Sequence, residues 1–176
     1  MKRFMDKKPD WRKIIRAIDA ARFVPAAGNN YVLRFILVDD AQRIAKIAKA
    51  TQQGFVGTAK YIVIAVSEDS KLVRLFGNRA RRYAGQQAGA AIQNFLLALT
   101  DEGLVTSWVG HFSDELVAEA VGLDEGVTIE AIFPIGIETK IKTPQKPKPL
   151  LENILYFDKW KEKKMRPETR VSVEGV

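Results

Sequence analysis

The chain has no cysteine and one histidine, His111. The first absence removes disulfides, thiolate catalysis, iron–sulfur ligation and most structural zinc sites. With a single imidazole, neither a Ser-His-Asp triad nor a conventional zinc centre is the expectation, and no metal is expected. Long apolar runs are missing as well; none nears the roughly 18 residues of a membrane span. The opening stretch, Met1 to Pro9, lacks the apolar core of a signal peptide, so a cytoplasmic location is the expectation. There is no Walker-A sequence and no strand–GxGxxG–helix unit, because Gly85 and Gly89 fall inside a helical pattern. No pair of carboxylates stands out for acid–base work. An enzyme with so few reactive side chains takes its chemistry from a cofactor.

What is present is ordinary in amount and uneven in placement. With 176 residues, 47% hydrophobic and 28% charged, the chain reads as one domain, 1–176, with a real core. The net charge of +7 divides into +5 over residues 1–16, −3 over 17–138 and +5 over 139–176. Two solvated Lys-rich ends give such a pattern, and so do two ends that converge on one anion. Nucleic-acid binding fits less well, since the aromatics are not interleaved with the basic residues as stacking platforms.

Hydrophobic periodicity predicts a helix over Trp11–Phe23 with Asp10 as N-cap, ended by Pro25. Strands are predicted at Val32–Val38 and Tyr61–Val66, with a helix capped by Asp39-Asp40 between them. The longest periodic element runs from Asn78 to Glu102, small in its first half (Gly85, Ala88, Gly89, Ala90, Ala91). It reads as a core helix or a dimer seam. A strand over Leu104–Val109, a helix over Asp114–Val121 capped by Ser113, and a strand over Val127–Ile137 broken near Pro134 and Gly136 follow. Thr143–Pro149 is a proline-lysine loop, and Arg170–Val173 alternates like a short edge strand. Interleaved helices and strands mean α+β or α/β; periodicity does not separate the two.

The stretch Ala21-Arg22-Phe23-Val24-Pro25-Ala26-Ala27-Gly28-Asn29-Asn30 joins the first helix to the first strand. After Pro25 it carries no bulky side chain, so a flat or anionic ligand can come close to the main chain. This loop resembles the alanine-arginine, proline-serine-x-x-asparagine loop of the FMN-dependent nitroreductase family. Three further segments resemble that family in the right order. They are Ala90 to Ala98, similar to its central dimerisation helix; Gly103 to Gly110, like its glycine-leucine … tryptophan-isoleucine-glycine strand and turn; and Ile132 to Gly136 with Lys146 to Leu150 and Tyr156.

The resemblance implies an α+β fold with a mostly antiparallel sheet of four to five strands, a homodimer, and FMN at its interface. It implies that residues from about 150 to 176 form a C-terminal extension packing on the partner subunit. NADH or NADPH would reduce the flavin, and an acceptor such as a nitroaromatic or quinone would be reduced in turn. No side chain need act as a nucleophile. By the same resemblance Pro25, Ala26, Ala27 and Asn29 meet the flavin ring, with Ala standing for the usual Ser. Asn29 also suits a turn-stabilising role. Gln52 or Gln53 supplies an amide near the pyrimidine. Val109, Gly110 and His111 form the turn whose N–H lies near flavin N5, with His111 in place of a second Gly. Lys146 and Lys148 hold the phosphate on a segment stiffened by Pro147 and Pro149, and Lys2 approaches the pyrimidine. The family's N-terminal arginine-x-serine element would precede Met1, and Tyr31-Val32-Leu33 replaces its Gln-Pro-Trp. A flavin-binding or interaction protein with little or no redox turnover is the alternative.

Overall fold

The computed structural model describes residues 4–139 and 147–165. The chain divides into two compact units, Met1–Thr143 and Pro144–Val176. The first is built as α1 (Trp11–Ala21), β1 (Leu33–Val38), α2 (Ala41–Thr51), β2 (Tyr61–Ser67), α3 (Ser70–Phe76), α4 (Ala80–Asp101), β3 (Val105–Thr106), α5 (Asp114–Val121) and β4 (Thr128–Gly136). Its four strands form one sheet in the order β1-β2-β4-β3, every pair antiparallel. Antiparallel pairing decides between the two fold classes that periodicity left open: the unit is α+β.

The apolar run of β2 is buried along its whole length because both faces of the sheet are covered. Tyr61, Val63 and Ala65 point into a cluster with Ile14, Ala17, Ala91, Ile92 and Phe95 of α1 and α4. Ile62, Ile64 and Val66 point the other way, to Ile44 and Ile47 of α2 and Val117 of α5. Alternation along β2 thus feeds two cores, one on each face.

Helix ends follow their capping residues. The carboxylates of Asp10 and Asp40 accept from the N–H groups of Arg12 and Arg43, and the Ser113 hydroxyl accepts from Leu116 N–H. Gly122 closes α5 in the left-handed region at φ 68°. The α1, β1 and β2 boundaries lie within two residues of the expected ones, and the long helix begins at Ala80 rather than Asn78.

Three features differ from expectation. Helix α3 was not anticipated, because only Leu72 of its seven residues is buried and it carries no apolar stripe. β4 runs unbroken through Pro134, which pairs with Ile62. The interruption falls on β3 instead, whose ladder stops at Thr106 and resumes only at the isolated Val109–Ile132 bridge. Ile132 exchanges both main-chain bonds with Val109, so Pro134, two residues on, also faces β3. Proline brings no N–H to that side, and the Pro134 carbonyl instead accepts from the Thr106 hydroxyl at 2.8 Å.

In the second unit, α6 (Leu151–Ile154) is a single turn. The Tyr156 and Trp160 rings meet edge to face at 4.8 Å, and the Lys163 ammonium lies 4.1 Å from the Tyr156 ring centre. The expected strand at Arg170–Val173 lies outside the described residues. Among the described residues, no helix is long and apolar enough to cross a membrane.

Candidate functional site

The loop between α1 and β1 closes into one turn of 3-10 helix over Ala27–Asn29. Asn29 N–H donates to Ala26 O at 3.0 Å and Asn30 N–H to Ala27 O at 3.1 Å. Gly28 and Asn29 both sit in the left-handed region, each at φ 57°. The side chain that braces the turn is Asn30, whose Nδ2 donates to Gly28 O at 2.7 Å. The turn-stabilising role suggested for Asn29 therefore belongs to its neighbour, and the Asn29 side chain is exposed. Among the described residues, no group accepts from the N–H of Ala26, Ala27 or Gly28. Burial pushes the Tyr31 phenol up, and its hydroxyl donates to Ala21 O at 3.3 Å.

Two side chains that sequence reasoning missed hold this loop. Gln87 of α4 is only 4% exposed. Its Oε1 accepts from Val32 N–H at 2.8 Å and its Nε2 donates to Asn30 O at 3.2 Å. Asn94 of the same helix donates from Nδ2 to Phe23 O at 3.1 Å. The available signal was two amides seven residues apart on an otherwise alanine-rich helical face.

The second group gathers beyond β3. Val109 is buried and bonded both ways to Ile132, and Gly110 and His111 then emerge on the surface. Among the described residues, the N–H groups of Gly110 and His111 have no acceptor. Trp108, half exposed, packs edge-on to Phe133 at 5.6 Å. Two residues after His111, Ser113 N–H donates to Ala50 O at 3.1 Å, which ties this turn to the end of α2. Gln52 terminates α2 in the left-handed region at φ 53°, followed by the half-buried Gln53. The structure thus ties the end of α2, just ahead of Gln52 and Gln53, to the chain just after Val109, Gly110 and His111.

It does not bring Pro25, Ala26, Ala27 and Asn29 to the same place. That loop packs on α4, on the face of the sheet opposite α2 and α5. It enters β1 at one edge of the sheet, while the Gly110–His111 turn leaves β3 at the other. Three strand spacings separate these edges, about 14 Å. Lys148 is exposed in the second unit, whereas Lys2 and Lys146 lie outside the described residues.

Comparison with known proteins bears on this arrangement. A protein of Archaeoglobus fulgidus named for NADH dehydrogenase/NAD(P)H nitroreductase is 26% identical over 137 residues, 76% of each chain. The crystal structure of a nitroreductase family protein from Clostridium novyi superposes with a TM-score of 0.72 at 24% identity, covering 92% of this chain and 89% of that one. The NADPH:FMN oxidoreductase of Vibrio harveyi, complexed with NAD+, gives a TM-score of 0.80 at 17% identity over 92% of this chain and 74% of that one. These superpositions establish a shared fold. The family model for the nitroreductase family matches residues 49–137, from the end of α2 through the last residues after β4, and so spans half of the sequence. On that match the chain belongs to the nitroreductase family.

Proposed function

We propose that the protein is an FMN-dependent oxidoreductase. FMN, when bound, supplies two-electron redox chemistry, taking hydride at N5 from NADH or NADPH and passing electrons to an acceptor such as a nitroaromatic or a quinone. The observation that carries this reading is the pair of bare main-chain turns, Ala26–Gly28 and Gly110–His111, in a member of the nitroreductase family. Neither turn carries a carboxylate, and His111 is the one reactive side chain between them. Both present N–H donors, beside Ala and Gly in the loop and beside Gly110 in the turn, which suits a flat, electron-accepting ring that gains negative charge on reduction. The residues present therefore fit the group.

In this proposal Pro25, Ala26, Ala27 and Asn29 lie against the ring. Gly110 and His111 offer N–H donors toward N5, Val109 anchors their turn, and Gln52 or Gln53 reads the pyrimidine edge. Lys146 and Lys148 take the phosphate, two cations beside two prolines, and Lys2 adds charge at the pyrimidine. Because loop and turn occupy opposite faces of one chain, a ring that meets both takes one from each of two copies. We therefore include a homodimer in the proposal, with the stretch from about 150 to 176 as an extension onto the partner. The Vibrio harveyi oxidoreductase, named for NADPH and FMN, supports the cofactor choice.

The test is the visible spectrum of the purified protein with FMN, before and after anaerobic addition of NADH or NADPH. A bound-flavin spectrum that bleaches is expected. Absence of flavin binding overturns the proposal; tight binding without bleaching supports the alternative of a redox-silent flavin protein.

A further inference from the structure

Asn94 and Gln87 fix the two ends of the α1–β1 loop, at Phe23 and at Asn30–Val32. Tyr83, four residues before Gln87, lies on the same helical face and packs edge-on against Phe76 at 5.2 Å. The Phe76 ring in turn closes on the middle of the loop, 3.1 Å from where a Cβ on Gly28 would stand. Ala84, Ala88 and Ala91 lie buried between these side chains and let the loop come close.

The Gln87 contact has a reason in the sheet. β1 is an edge strand, and Val32 already turns its carbonyl toward β2, accepting from Glu68 N–H at 3.0 Å. Its N–H and the Asn30 carbonyl, just ahead of the strand, take their partners from Gln87 rather than from β2. One buried amide supplies both an acceptor and a donor there. Leucine in its place leaves the two main-chain groups without partners, and glutamate keeps the acceptor but loses the donor while burying a charge.

We propose that Gln87, with Asn94, is a positioning residue that holds the Pro25–Asn29 loop so that the bare N–H groups of Ala26, Ala27 and Gly28 are set for the flavin ring. The consequence for flavin rests on the function proposed above; the holding of the loop does not. Gln87 contributes through the main chain of residues 30–32 and touches no reacting atom.

Two measurements on the full-length Gln87→Leu variant test this. Amide hydrogen exchange on the flavin-free protein is expected to accelerate tenfold or more at Asn29, Asn30 and Val32, the hydrogen-bonded amides of this loop, while β2 and β4 stay protected. FMN titration, followed by flavin fluorescence, is expected to give a Kd raised tenfold or more. Ile47→Val, buried on the opposite face, serves as the stability control and is expected to change neither. Unaltered loop exchange in Gln87→Leu overturns the proposal, as does a Kd rise no larger than that of the control. If Gln87→Leu fails to fold, Asn94→Ala, at a half-buried site, frees the other end and must show faster exchange at the bonded amides of Phe23 and Asn29 together with the raised Kd. Should the wild-type protein bind no FMN, the function proposed above fails, and the exchange data still decide whether Gln87 holds the loop.

Discussion

Gly28 and Asn29 are consecutive left-handed residues, an arrangement that L side chains adopt at a cost of about 1–2 kcal/mol each. Asparagine tolerates the region best among them, which suits position 29. At position 28 a side chain is also short of room, because Phe76 stands 3.1 Å from the added carbon. Gly28→Ala is therefore expected to lower the unfolding free energy by about 1–2 kcal/mol, read as a shift of the urea midpoint at constant slope. A midpoint equal to wild type would show that the turn reorganises freely. The openness of this loop was legible in residue types alone, since a run of Pro, Ala, Ala and Gly cannot crowd a ligand. Which asparagine braces the turn was not legible: Asn29 and Asn30 are identical in chemistry, and only backbone geometry aims one of them at Gly28 O. Gln87 was illegible for a related reason. A polar residue on an apolar helical face states that a partner exists, and the partner lies 55 residues away in sequence.

Elements with a strong apolar period were read to within a residue or two, because α1, α2, α4 and β2 bury a whole face against the sheet. α3 and β3 were read poorly. The first buries a single leucine, and the length of the second is set by Pro134 on its neighbour. The contact between α1 and α4 adds an electrostatic tie at the end of the long helix. Arg16 grips Glu102 with two nitrogens, Nε and Nη2, and Lys13 Nζ donates to Glu102 O at 2.6 Å. The Arg16 hydrogen bonds hold the Glu102 carboxyl below the usual glutamate range, with Coulomb attraction from Arg16 and Lys13 acting the same way. A carboxyl whose pKa is lower folded than unfolded stabilises the fold above its unfolded value, about 4.3. That contribution is lost as pH falls through the folded value. Thermal melts of wild type and Glu102→Gln should accordingly differ at pH 7, with the gap shrinking as pH falls below about 4.3 and closing once pH is below the folded value. A gap that persists in acid would assign the loss in the variant to packing instead.

For the whole molecule, the two bare turns lie on opposite faces and at opposite edges of one sheet. In the function proposed above, a site using both draws on a second copy, and complementation tests this. Ala26→Glu places a carboxylate in the loop, and Gly110→Glu places one in the turn. Each variant alone should lose FMN. A doubly tagged mixed dimer should regain one flavin per pair, because one of its two sites then combines an intact loop with an intact turn. A mixed dimer without flavin would place both contacts within one chain. The sequence by itself determined the absence of thiol chemistry, the helix caps, the buried strand and the family, since these depend on composition, local hydrogen bonding and hydrophobic period. Tertiary structure alone decided that the sheet is antiparallel, that Pro134 shortens β3 rather than β4, that Gln87 and Asn94 hold the loop, and that loop and turn face apart. Each of these depends on which distant strand or helix supplies the missing hydrogen-bond partner, and local sequence carries no record of that.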